Sequence, residues 1–135
     1  MGEINLQDRL AKVSGDELPT NCIGTALFLA GEVDIDEHIE PLHAKTYLEK
    51  LTELQAPEVG SIITWEEETR KGLSVEHAGL VVNVDPILIT HRPGSYFFDC
   101  NARVVEAIEF RMVDMAYESP IAVNRYYRPS SRIVV

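Results

Sequence analysis

Cysteine and histidine are the side chains of this chain best suited to covalent chemistry near neutral pH, and cysteine is scarce: only Cys22 and Cys100 occur. Cys22 follows Pro19, Thr20 and Asn21 and opens an apolar stretch closed by Gly31. That pattern predicts a helix from Asn21 to Ala30 with Thr20 as N-cap and Cys22 in its first turn. Unpaired backbone N–H groups and the positive end of the helix dipole favour thiolate over thiol there. A buried, inert thiol is the competing reading of Cys22 taken alone.

His77 lies in VEHAGLVVNV, whose alternation puts His77, Gly79, Val81 and Asn83 on one strand face and Ala78, Leu80, Val82 and Val84 on the other, core-facing one. Gly79 leaves the space beside His77 open to close approach. A hairpin turning about Val84 through the loop VNVDP pairs Val81 with Ile87, Gly79 with Ile89 and His77 with His91. His91 then stands where it can fix the tautomer of His77 while the other ring nitrogen faces a nucleophile. A slip of a single residue would send His91 to the wrong face.

These residues need elements to hold them. Ile4, Leu6, Leu10 and Val13 predict a short amphipathic helix within residues 3–13, and a second is expected from Pro41, with Ala44, Tyr47, Leu48 and Leu51 on one face, before Pro57. The Cys22 helix is apolar nearly all round and so should be buried. From Gly60 onward the runs SIITW, VEHAGLVVNV, ILITH, SYFFD, VVEAIEF and IAVNRYY read as strands. Helices followed by an antiparallel sheet predict an α+β fold in a single domain spanning 1–135. Trp65, Tyr126 and Tyr127 are expected to pack in it.

The 135 residues carry a formal charge of -10, which argues against a nucleic-acid partner, and no apolar run approaches the length of a membrane span. With no signal-like start and two cysteines, the chain as it stands is expected in the cytoplasm, or exported by a route the sequence does not display. The acidic stretch with Asp34, Asp36, Glu37, His38 and His43 lacks the Gly and Glu of an EF-hand, so no metal and no cofactor is expected; it reads as a solvated loop open to a basic protein partner. Cys100 is expected to be a free structural thiol. Arg92, in HRPG, reads as a turn residue, with a substrate-carboxylate clamp as the minor alternative.

NCIGTALFLAG, PEVGSIITW, HAGLVV and ITHRPG resemble, in order and spacing, successive blocks of the NlpC family of papain-like cysteine peptidases, and IAVNRYYRP resembles its last strand. The resemblance implies a papain-like α+β fold, with the nucleophile helix packed on an antiparallel sheet, and a Cys22, His77, His91 triad. It also implies an oxyanion hole that includes the Cys22 N–H, and hydrolysis of an amide bond in a peptide, by default one of peptidoglycan. Peptidoglycan-cleaving members typically read Asp-Cys-Ser-Gly. Here Asn21, Cys22, Ile23 and Gly24 stand in that block, so Asn21 takes the substrate-binding position without the charge that receives an ammonium, and Ser61 replaces the usual Asp after Gly60. The alternatives are an effector acting on a protein as protease, deamidase or acyltransferase, and a catalytically idle module binding a partner through its acidic surface.

Overall fold

In the computed structural model, which describes residues 2–13, 20–93, 103–117, 119 and 121–135, the chain begins with strand β1 (Glu3–Asn5) and helix α1 (Leu6–Leu10). Helices α2 (Cys22–Leu29) and α3 (Ala44–Leu48) follow, then strands β2 (Thr52–Leu54), β3 (Ile62–Thr69), β4 (Gly72–Val84), β5 (Ile87–His91) and β6 (Val105–Glu109). Helix α4 (Phe110–Tyr117) precedes β7 (Val123–Arg128) and β8 (Arg132–Val134). Six strands form one antiparallel sheet in the order β2-β7-β3-β4-β5-β6, and β1 pairs in parallel with β8. The expected mixed α+β architecture is present. The SYFFD run and Cys100 lie outside the described residues.

Three expectations about elements are corrected. Residues 3–13 are not one helix: Glu3, Ile4 and Asn5 pair with Arg132, Ile133 and Val134, and the Asn5 side chain then caps α1 by accepting from the Asp8 N–H at 3.1 Å. The helix after Pro41 stops at Leu48, because Thr52–Leu54 is recruited as the sheet edge against Arg128, Tyr127 and Tyr126. The strand VVEAIEF ends at Glu109, and Phe110 opens α4 instead, whose Phe110, Val113 and Tyr117 fall at helical spacing toward the sheet.

Both sheet faces are covered. On one, Ile62, Ala78 and Leu80 pack with α2, all eight of whose residues are buried. On the other, Ile63, Trp65, Val81 and Ile89 pack with Val113 of α4. A buried carboxylate on the α2 side, Glu66, accepts from Tyr127 Oη and Thr64 Oγ1 at 2.6 Å each and from Lys45 Nζ at 3.1 Å, which ties α3 to β3 and β7. Trp65 and Tyr127 are core residues as expected, at 1% and 2% exposure.

The β4–β5 register differs from the expected one, with a consequence for the histidines. The strands run on to a turn at Asp85 and Pro86, pairing Val84 with Ile87 and Asn83 with Leu88. Continued unbroken, that register would put His91 opposite Leu80, on the α2 face. A bulge at Val82 shifts it, so that Val81 meets Ile89 and Leu80 meets Thr90, which brings His91 opposite Gly79 on the face of His77. The net displacement from the expected pairing is two residues, and an even slip preserves the face. Gly79 is therefore filled space: a Cβ there would lie 2.6 Å from Ile89 Cγ2 and 3.2 Å from His91 Cβ.

Candidate active site

The N-cap of α2 is Asn21, not Thr20. Its Oδ1 accepts from the Gly24 N–H at 2.8 Å and the Ile39 N–H at 3.2 Å, and its Nδ2 donates to the Ile39 carbonyl at 2.7 Å. Asn21 is 1% exposed, so the residue expected to bind substrate turns its amide to the protein's own backbone. Cys22 follows in the first helical turn, as the sequence pattern requires.

Cys22 belongs to the α2 side of the sheet and His77 to the α4 side. What connects them is the local end of β5. Val81 donates its N–H to Ser61 at 2.8 Å, toward β3, so by alternation the Ala78 N–H points to the other edge of β4. There β5 has already ended at His91, and the Ala78 N–H exerts a downward pull on the Cys22 thiol. The expected contact between the thiol and the second His77 nitrogen is not formed: His91 engages Nε2, and Nδ1 has no hydrogen-bond partner among the described residues, Cys22 included.

His77 Nε2 and His91 Nδ1 are 2.8 Å apart, with the rings nearly perpendicular at 89°. His77 Nδ1 is buried and has no hydrogen-bond partner among the described residues. Tyr117 of α4 stacks on the His77 ring at 3.7 Å between centroids and 4° between planes, and Trp65, cross-strand from His77, approaches it at 5.2 Å. Trp65 Nε1 in turn donates to Asp114 at 2.9 Å, which anchors α4 over the site. His77 is 0% and Cys22 3% exposed, so the arrangement is closed.

Burial sets the protonation states. It pushes the Cys22 thiol up to about 12, against the pull of the Ala78, Ile23 and Cys22 N–H groups, with a smaller upward push from the Glu76 carboxylate. Glu76 is the bulged residue between His77, which faces Trp65, and Val75, which faces Glu66. Burial, and then the neighbouring Glu67, raise its own carboxyl. Burial, with a contribution from His91, holds His77 well below its usual range, and burial holds His91 at about 4. Near pH 7 Cys22, His77 and His91 are therefore neutral.

These depressed histidines bind protons more weakly folded than unfolded. Their contribution to stability is therefore complete above the unfolded value near 6.5 and is lost as pH falls through the depressed values, about 4 for His91. The melting temperature is expected to decline across that window, and a His91→Gln variant to show a shallower decline than the wild type. Calorimetry in stepped buffers measures both slopes; equal slopes would contradict the neutral buried pair.

Arg92 holds no substrate-facing position. It is 2% exposed and its Nη2 lies 2.9 Å from Asp36 Oδ2. Asp36 itself is buried, which corrects the reading of its acidic stretch as wholly solvated. Among the described residues no group of His, Cys, Asp and Glu side chains is arranged to hold a metal ion. No described helix is long and apolar enough to cross a membrane. Sequence reasoning brought out Cys22, His77 and His91 but missed Tyr117, whose helical spacing from Phe110 and Val113 was the available signal, and Asp36, which carries none.

Comparison with known proteins returns no match to any family model, curated protein or solved structure.

Proposed function

We propose that this chain is a papain-like cysteine hydrolase of the NlpC type that cleaves an amide bond in a peptide, with Cys22 as nucleophile, His77 as general base and His91 as its orienter. The observation that carries the reading is the His77–His91 pair: one nitrogen of His77 is engaged by His91 at 2.8 Å, and the other, Nδ1, has no hydrogen-bond partner among the described residues. A histidine held in that way has one nitrogen for orientation and one for proton transfer.

In the reaction His77 takes the thiol proton as the sulfur bonds to the substrate carbonyl carbon, and the carbonyl oxygen gains the negative charge. The resemblance to NlpC-type enzymes assigns the Cys22 N–H to receive that charge. Collapse breaks the C–N bond, and the departing amine leaves with the proton from His77. Water, deprotonated by His77, then releases the carboxylic acid and restores the thiol. Substrate access requires Tyr117 to leave the face of His77. Peptidoglycan peptide is the default substrate by resemblance.

A small activated ester tests the chemistry without knowledge of the natural substrate. p-Nitrophenyl acetate is expected to release a burst of p-nitrophenol equal to the enzyme present and to leave an acetyl group on Cys22 detectable by mass spectrometry, with neither in Cys22→Ala. One observation favours a second reading, an idle papain-like binding module: both Cys22 and His77 are shielded from solvent and the thiol is pushed up to about 12. Absence of burst and adduct in the wild type would select it.

A further inference from the structure

The chain segments that carry Cys22 and His91 converge on one buried carboxylate. Thr20, two residues before Cys22, donates its hydroxyl to Asp36 Oδ1 at 2.5 Å, and Thr25, in the helical turn that begins at Cys22, donates to the same oxygen at 2.8 Å. Arg92, next after His91, donates from Nη2 to Asp36 Oδ2 at 2.9 Å and from Nε to Thr25 Oγ1 at 2.7 Å. All four residues are buried, at 0% to 3% exposure. Thr25 accepts from Arg92 while donating to Asp36, so helix, loop and strand end share one polar geometry.

Stability alone does not account for this cluster. A buried ion pair loses much of its attraction to desolvation, and apolar residues of similar volume often serve as well or better. What apolar packing does not supply is direction. Helix α2 is buried and apolar nearly all round, and such contacts resist small slides and rotations weakly because they are non-directional. A guanidinium fork engaged by a carboxylate and a hydroxyl fixes both distance and angle.

We propose that Asp36, acting through Thr25 and Arg92, is a positioning residue that sets the nucleophile helix against the histidine strand. The inference rests on the hydrolase reading above and adds to it the part that aligns Cys22 with the His77–His91 pair.

The test is alkylation of Cys22 by iodoacetamide, followed by peptide mass mapping across roughly pH 5–10, a range that spans ordinary thiol titration. Asp36→Asn is the direct variant but breaks a buried ion pair and can fail to fold. Thr20→Val removes one hydroxyl from the carboxylate, and Thr25→Val removes one hydroxyl from the carboxylate together with the acceptor of Arg92 Nε; both leave the Arg92–Asp36 ion pair in place. Each is expected to keep a cooperative melt yet slow Cys22 labelling near pH 7 about tenfold or more, with the profile displaced toward that of His77→Ala. Thr25→Ser is expected to restore the wild-type profile.

A fold that is merely loosened moves the other way, labelling faster with an ordinary thiol profile. That result, or a wild-type profile in Thr25→Val, overturns the positioning role. If His77→Ala labels like the wild type, the hydrolase reading fails first and the positioning role falls with it. If His77→Ala slows labelling and Thr25→Val does not, only the positioning role is lost.

Discussion

His77→Ala is expected to slow acetylation of Cys22 by p-nitrophenyl acetate by a factor of about 10²–10⁴, the range that a positioned general base supplies. The closed site makes the requirement steep. A thiol pushed up to about 12 is almost wholly protonated at pH 7, so on the proposed reading its reactivity there depends on a base that removes the proton during attack. In that reading the base is His77, which burial keeps neutral.

The pH dependence carries the same information. In the wild type the burst rate is expected to level off once pH exceeds the depressed titration of His77. In His77→Ala it should keep rising with hydroxide through the neutral range, as for a thiol without a base. His77→Gln fills the same volume and can still meet His91, which separates loss of the base from loss of packing. Stopped-flow release of p-nitrophenol gives both quantities, and a rate for His77→Ala within about threefold of wild type would dismiss the general-base role.

Gly24→Ala is expected to be the most disruptive single-methyl change in the site. Intrinsic propensity favours it, since alanine gains about 1 kcal/mol over glycine inside a helix. Sterics oppose it more strongly: the added Cβ would lie 1.7 Å from the Glu37 carbonyl oxygen and 2.8 Å from its carbon. Both are backbone atoms, so no rotamer change relieves the overlap, and the loop carrying Asp36 must move away from α2. Overpacking of this kind costs about 1–3 kcal/mol or more, and displacing one partner of a buried ion pair about 3–5 kcal/mol.

A net loss of at least about 3 kcal/mol, seen as a fall in melting temperature of roughly 10 °C, is therefore expected for a domain of this size. Thermal denaturation followed by circular dichroism measures it. A melting temperature within about 2 °C of wild type would mean that the loop does not cross the helix start as described.

Legibility differed by residue. The start of α2 was readable because an N-terminal cap and an apolar run are local signals, although the cap proved to be Asn21, whose side chain also reaches Ile39 eighteen positions away. Phe110 reads as the end of a strand because VVEAIEF alternates, whereas Phe110, Val113 and Tyr117 lie at helical spacing and pack with Trp65 and its neighbours in α4. Asp36 read as one more acid in an acidic loop, since nothing local marks the single carboxylate that Arg92 and two threonines will enclose.

Taken by itself, the sequence determined the chemistry-bearing residue types, the helix start under Cys22 and the shared strand face of His77 and Gly79, because capping and alternation act over a few residues. Only the tertiary structure decided that His91 joins that face. A two-residue turn without the bulge at Val82 would have turned His91 away from His77, and bulges arise from how neighbouring strands are held, which short-range pattern does not encode. Long-range contact likewise decided the closure by Tyr117 and the convergence on Asp36, which join residues distant in the chain through stacking and hydrogen bonds that form only once the sheet and α2 are in place.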